Sequence, residues 1–278
     1  VTTGRDMAAI AAGKPTRKKR STEESRAVWT GGKSVALPAF RPPQLATLAT
    51  EVPTGNDWLF EVKYDGYRCL AALAGKEVQL FTRNGLDWTE QFGRLVAPLA
   101  KLTKGTALID GEICALRDGH ANFSALKQAL SDGGDLVFFA FDLLEEDGES
   151  LEKLPLLERK ARLRKLIGKV GASDPIQYSD HVRGHGDKVL AALCSAGQEG
   201  VIAKRADAPY RHTRSRDWLK VKCTKRQEFV IGGWRHSERK ATFASLLLGT
   251  FEDGRLVYRG RVGTGWNSDT AAALQERL

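Results

Sequence analysis

The segment Glu61-Val62-Lys63-Tyr64-Asp65-Gly66-Tyr67-Arg68 has the residue types for covalent chemistry. It sets a lysine at the end of an apolar run, immediately before Asp-Gly. The amine is therefore expected at the lip of a sheet, beside a tight turn. A free lysine titrates near 10.4 and is protonated at neutral pH. It becomes a nucleophile when neighbouring cations disfavour its charge. Lys-x-Asp-Gly alone arises by chance in roughly one chain in fifteen of this length, so its company decides. Downstream come Phe81-Thr82-Arg83-Asn84-Gly85, then Asp110-Gly111-Glu112, two acids flanking a glycine at an expected strand break. Phe138-Phe139-Ala140-Phe141-Asp142 is an aromatic strand ending in an acid, and Glu199-Gly200-Val201-Ile202-Ala203-Lys204 follows. In Trp218-Leu219-Lys220-Val221-Lys222, strand alternation throws both lysines onto one face. Each piece alone has a plainer counterpart: a turn, a core strand or a solvated charged face.

The elements that must position these residues can be read from periodicity. Runs at 59–63, 68–74, 78–82, 107–110, 112–116 and 136–142 read as strands. Helical spacing covers 90–101, 122–130, 155–169 and 188–196. In 122–130, Phe123, Leu126 and Leu130 share a face; in 155–169 the apolar stripe is Leu163, Leu166, Ile167 and Val170, and Arg159, Lys160, Arg162, Arg164 and Lys165 cover the rest. Clustered strands with inserted helices predict an α+β fold of mainly antiparallel sheets with flanking helices, not a doubly wound parallel sheet. After Cys223, strands at 228–234, 244–251 and 256–262 predict the first part of an OB-fold β-barrel, too short to be complete. The expected division is a flexible basic linker or tail at 1–36, a catalytic domain at 37–225 and the barrel's start at 226–278.

Bulk properties narrow the partners. The 278 residues carry a formal charge of +9, which favours polyanions. From Lys204 to Arg226 there are nine lysines and arginines against two aspartates, with 211–216 expected in a loop. Such a patch suits sequence-independent phosphate contact. No apolar run is long enough to span a bilayer, and no signal peptide is visible. The first residue is Val1, so the chain is expected to be a piece of something longer. Cys69, Cys114, Cys194 and Cys223 are scattered, with no metal-site spacing. They are expected to be reduced thiols of a cytoplasmic protein, three of them core filler, with no structural zinc.

The order and spacing of the whole set resemble the nucleotidyltransferase motifs of the covalent ligase and capping-enzyme superfamily. Within it they are most similar to ATP-dependent DNA ligases, and especially to the ligase domain of bacterial multifunctional end-joining ligases. Residues 37–46 resemble that group's entry segment, and 199–210 with 217–222 its last two catalytic-domain motifs. The resemblance covers about 37–266.

It implies three steps: a lysine takes AMP from ATP, AMP passes to a DNA 5′-phosphate, and a DNA 3′-hydroxyl displaces AMP to seal the strand. By motif, Lys63 is the nucleophile, and Lys220 and Lys222 supply positive charge. Glu61 holds adenine and Phe141 stacks on it. Arg68 holds the ribose side and later the DNA 5′-phosphate, which Arg83 also clamps. Glu112 contacts the ribose or a metal, Glu199 binds metal, and Asp65 helps place metal and hydroxyl. Lys204 contacts nucleotide, and Arg205, Arg211, Arg214 and Arg216 contact DNA. The implied cofactors are ATP and Mg2+, with Mn2+ as a substitute. The implied partners are nicked or broken duplex DNA, a Ku-type end-binding protein, and attached polymerase or phosphoesterase domains in a nucleoid-associated setting. An RNA ligase or a GTP-dependent capping-type enzyme is the alternative. Two departures stand out: only the tail precedes residue 37, where larger ligases carry a helical DNA-binding domain. The basic motif that orients pyrophosphate is also not found before Leu278, which predicts weaker self-charging than sealing.

Overall fold

The computed structural model describes residues 27–30, 33–223, 228–236 and 243–278. The chain divides into two compact units, Val1–Cys223 and Thr224–Leu278. Residues 1–26 of the expected tail, and Lys225 and Arg226 of the basic patch, lie outside the described residues. At the end of the expected tail, β1 (Ala27–Thr30) and β2 (Lys33–Ala36) form an antiparallel pair instead.

The first unit is α+β, as expected, with two sheets face to face. Strand β3 (Leu45–Leu48) and β4 (Trp58–Val62) belong to the smaller sheet. The chain then crosses to the larger one through β5 (Tyr67–Ala74) and β6 (Glu77–Thr82). Strand β5 reads Cys-Leu-Ala-Ala-Leu-Ala because both its faces are covered: Cys69, Ala71 and Leu73 enter one core, Leu70 and Ala72 the other. The helix expected at 90–101 is only a 3-10 turn at Gly93–Leu95 running into α1 (Val96–Leu99). Gly93 and Pro98 are poor residues for extending a helix through this stretch.

Strand β7 (Thr106–Cys114) runs straight through Gly111, where a break was expected. Glycine is required there for packing, since a Cβ would lie 2.4 Å from the Phe138 ring. A short hairpin, β8 (Leu116–Arg117) and β9 (His120–Ala121), leads to α2 (Phe123–Asp132). The Asn122 side chain caps this helix by accepting from Ala125 N at 2.9 Å, and Gly133 ends it at φ 78°. Strand β10 (Val137–Glu146) then pairs with β7 across a bulge at Phe141. The bulge shifts the alternation. Phe138, Ala140 and Leu143 face the helices, while Phe141 and Leu144 face the other sheet.

After β11 (Glu149–Ser150) comes α3 (Leu156–Ile167). Its buried face holds Leu163 and Ile167 of the expected stripe, with Leu166 partly buried, but also Leu156, Arg159 and Lys160; Val170 lies beyond the helix and is exposed. Arg159 and Lys160 are buried because each meets a buried carboxylate on a strand below, Asp142 and Glu61 respectively.

Strands β12 (Ile176–Tyr178) and β13 (His181–Arg183) join the larger and smaller sheets. Helix α4 (Gly186–Ser195) packs Val189, Leu190 and Leu193 on the outer face of the smaller sheet. Strands β14 (Gly200–Arg205) and β15 (Arg214–Lys222) complete that sheet, in the order β13-β4-β14-β15-β3. Arg214 and Arg216 therefore lie on a strand rather than in the expected loop.

The cysteines correct the sequence reading. Cys69 and Cys114 are buried and free, but Cys194 and Cys223 form a disulfide. They stand 29 positions apart in sequence, yet Cys223 N donates to Glu199 O at 3.0 Å, which brings the end of β15 beside the turn after α4.

The second unit holds an antiparallel sheet, β16 (Val230–Arg235), β17 (Ser245–Glu252) and β18 (Arg255–Val262), with α5 (Ser268–Gln275). Asp253 and Gly254, both at positive φ, make the tight turn between β17 and β18. This is an OB-fold-like region. Among the described residues no helix is long and apolar enough to cross a membrane.

Candidate active site

A cavity of 240 Å³ opens between the two sheets of the first unit. Its wall brings together Glu61, Lys63, Arg68, Arg83, Glu112, Phe141, Lys204 and Lys220, all singled out from the sequence. Arg214, expected at DNA, also lines it, with Tyr64, Trp218 and aliphatic neighbours. Lys63 sits one residue past β4, its backbone N–H held by Gly200 O at 3.0 Å. The turn after it is tight because Gly66 lies against β7, where a Cβ would come within 2.2 Å of Ile113 O.

The lysine's ammonium pairs with Glu199, which also meets Lys222 at 3.4 Å. Glu199 thus reaches Lys63, and Lys222 reaches Glu199, without either lining the cavity. Alternation along β15 puts Arg214, Trp218 and Lys220 on the cavity face. Burial and the surrounding Lys63, Arg214, Lys222 and Arg83 hold the Lys220 pKa below the ordinary lysine value. The cavity is a concentrated positive field suited to a polyphosphate.

The opposite end is flat and polar. Phe141 is buried with its ring edge-on to Trp218, and the Arg68 guanidinium lies 4.5 Å above it. Arg68 is gripped by Asp110, at 2.5 and 2.7 Å, and Tyr210 donates to the same carboxylate at 2.6 Å. Glu61 is 3% exposed, its carboxylate bonded by Lys160 and Lys204, each at 2.8 Å. Burial lowers the Lys204 pKa to about 8, against the pull of Glu61 and with the push of Lys160.

Asp65 does not line the cavity; its carboxylate accepts from Phe123 N at 3.3 Å, at the start of α2. Arg205 pairs with Asp57 and Asp207, each at 3.1 Å, and Arg211 with Asp217 at 2.9 Å. Arg216 is exposed. The site residues that sequence reasoning missed are Asp110, Lys160, Tyr210 and Trp218. Of these, Asp110, Tyr210 and Trp218 stood in motifs already singled out, and Lys160 did not.

Among the described residues no three His, Cys, Asp or Glu side chains gather to hold an ion unaided. Glu199 touches Lys63, and Glu112 lies within electrostatic reach of it. This sparse carboxylate set fits magnesium, which is held largely by water and substrate phosphates with one or two carboxylates.

The ATP dependent DNA ligase domain matches residues 43–222, the span that builds this cavity. The chain belongs to the ATP-dependent DNA ligase family. The ATP dependent DNA ligase C terminal region matches residues 239–278. A multifunctional non-homologous end joining protein LigD of Pseudomonas aeruginosa is 37% identical over 278 residues, covering 98% of this chain and 32% of that protein. A LigD described as a multifunctional non-homologous end joining DNA repair protein, from Mycobacterium tuberculosis, is 36% identical over 241 residues, covering 85% and 31%. The chain thus spans about a third of the length of these curated relatives. The crystal structure of the ligase domain from M. tuberculosis LigD superposes with a TM-score of 0.61 at 34% identity, covering 86% of this chain and 77% of that one. Mycobacterial DNA ligase D complexed with ATP and MES gives 0.60 at 34% identity, with the same coverage.

Glu112 in this ligase domain yields a pH prediction. The carboxyl is half-buried on the cavity wall, and burial, opposed by Arg68 and Lys63, pushes its pKa from 4.5 up to about 7. Below 4.5 the group is protonated in both folded and unfolded chains. Between 4.5 and 7 the unfolded chain ionises first, so stability falls as pH rises, and above 7 the full cost is present. Glu112→Gln, which cannot titrate, is expected to gain on the wild type across that window, by up to about 3 kcal/mol. Urea denaturation of both proteins without nucleotide or metal measures it. A stability difference independent of pH would count against the shift.

Proposed function

We propose that this chain is the catalytic core of an ATP-dependent DNA ligase acting in end joining. Lys63 Nζ attacks the α-phosphorus of ATP; a phosphoramide bond forms, the anhydride bond breaks and pyrophosphate leaves. AMP then moves to a DNA 5′-phosphate, and a 3′-hydroxyl displaces it to make the phosphodiester. The observation that carries this reading is the placement of Lys63 in one cavity between a cationic wall and a flat pocket closed by Phe141 and Glu61. The cations Lys220, Arg214 and Arg83 suit the triphosphate and the charge that develops on its α-phosphate. The ATP complex of the mycobacterial relative and the end-joining names of the LigD proteins support the same substrate and setting. Glu112 and Glu199 would hold Mg2+, or Mn2+, together with substrate phosphates. When bound, the ion neutralises phosphate charge. Asp65 fixes the turn behind Lys63. Nicked or broken duplex DNA is the polymeric substrate, and a Ku-type protein and attached end-processing domains are the proposed partners.

The direct test is incubation with labelled ATP or GTP followed by denaturing electrophoresis. A stable label from ATP that chases into nicked DNA is expected. A label from GTP alone would move the assignment to a capping-type enzyme.

The flat pocket gives a second expectation. Phe138→Ala and Phe141→Ala both remove buried rings and should each cost about 3–5 kcal/mol of stability. Only Phe141→Ala should also lose about 1–3 kcal/mol of nucleotide binding. Equal nucleotide affinities in the two folded variants would reduce Phe141 to core filler.

DNA binding is read from salt. Neutralising Arg211, Arg214 and Arg216 should reduce the log–log salt slope of DNA affinity by up to about 0.9 for each phosphate that is no longer neutralised. An unchanged slope would show that these side chains do not meet the backbone.

A further inference from the structure

We infer that Lys160 is a positioning residue for base recognition, because its one buried ammonium group ties together Glu61 and Phe141. The inference rests on the assignment of those two groups to the base in the proposed function. Lys160 lies on α3, is 1% exposed and does not line the cavity. Its Nζ donates to Glu61 Oε1 at 2.8 Å, to Ser179 O at 2.9 Å and, at 3.5 Å, to the backbone carbonyl of Phe141. It thus reaches from behind the pocket to the acid at one side and to the strand carrying the ring at the other.

The accounting at Glu61 shows what this does. A carboxylate has about four acceptor positions. Lys160 takes one on Oε1; Lys204, at 2.8 Å, and Ser179 Oγ, at 3.2 Å, take two on Oε2. One position stays free for a donor. Burial would favour the neutral acid, but Lys160 and Lys204 outweigh it and hold the Glu61 pKa below the ordinary value. The group therefore accepts and does not donate. Such an acceptor prefers a base edge bearing an amine over one bearing a carbonyl or only hydrogen. Removing Lys160 would still leave Glu61 paired with Lys204, so the charge balance needed for folding survives. What would disappear is the fixed orientation of the free position relative to the ring.

The test compares formation of the covalent nucleotide from ATP and from purine riboside triphosphate, which lacks the 6-amino group. It uses the wild type, Lys160→Met, Glu61→Gln and the double variant. Lys160→Met is expected to raise KM for ATP about tenfold, the size expected for loss of a charge-assisted hydrogen bond, with a much smaller fall in kcat. It should also narrow the preference for ATP over the analogue. On the Glu61→Gln background the same change should add little to either effect. If the methionine variant does not fold, Lys160→Gln takes its place with the same expectations. Unaltered KM and preference in the folded variant would overturn the inference. So would an effect equally large on the Glu61→Gln background, since Lys160 would then not act through Glu61. A wild-type chain that takes no AMP from ATP overturns the proposed function, and the inference with it.

Discussion

Lys63→Ala is expected to abolish covalent AMP formation while leaving the fold within about 1 kcal/mol of the wild type. The two halves of that expectation have separate causes. The side chain is 17% exposed, lies past the end of β4 and pairs with Glu199, itself part-exposed and still paired with Lys222. Its removal leaves no buried charge stranded. The chemical loss should be close to complete, because removing a nucleophile typically costs more than about 10⁴-fold. Lys220 cannot stand in for it. That lysine projects from a different strand, β15, and its proposed role is to add positive charge rather than to occupy the place of the attacking atom. Labelled ATP and denaturing electrophoresis read the covalent product, and thermal unfolding reads the fold. A variant that still took AMP at an appreciable rate would show that the nucleophile lies elsewhere in the cavity.

That Lys63 and most of the cavity wall would come together was legible because each contributing residue sits in a short local pattern. Lys63, Arg68, Glu112, Lys204 and Lys220 all lie on or beside strands, within short motifs that the sequence displays. What stayed hidden depends on interactions between distant segments. Lys160 and Arg159 look like the solvated side of an amphipathic helix, since periodicity records position and not partners. Their partners are 99 and 17 residues away. The Cys194–Cys223 bond is hidden for the same reason. Gly111 signals a break to the eye, yet it serves close packing under Phe138. The bulge that turns Phe141 toward the other sheet leaves no mark in an aromatic run that alternates nothing. Asp65 belongs to the motif, but its carboxylate is used by the N-terminus of α2, 58 residues away.

The buried ion pair between β10 and α3 should give a large loss of stability when one partner is removed. Asp142 and Arg159 are both fully buried, joined by two hydrogen bonds of 2.8 and 2.9 Å. Arg159 also donates to Leu154 O at 2.6 Å and to Ala208 O at 3.0 Å. One guanidinium thus joins β10, the entry to α3 and the chain leading from β14 to Tyr210, which braces Asp110 and through it Arg68. Asp142→Ala would leave that guanidinium buried without its carboxylate. Such a loss costs about 3–5 kcal/mol, whereas replacing both partners with apolar residues is often close to neutral. The single variant is therefore expected to unfold at markedly lower denaturant, and Asp142→Ala combined with Arg159→Met to recover much of the difference. Breaking the exposed pair of Arg162, on the same helix, with Glu149 on β11 should cost far less, because water already solvates both groups. Urea unfolding of the wild type, Asp142→Ala, Arg159→Met, their double variant and a variant lacking the Arg162–Glu149 pair separates these terms. If the double variant lost as much as the two single changes added together, the pair would be two independent packing contributions and not one coupled unit. Nucleotide affinity of the folded single variant adds a further check, since a displaced Ala208 carbonyl would loosen Tyr210 and with it the grip on Arg68.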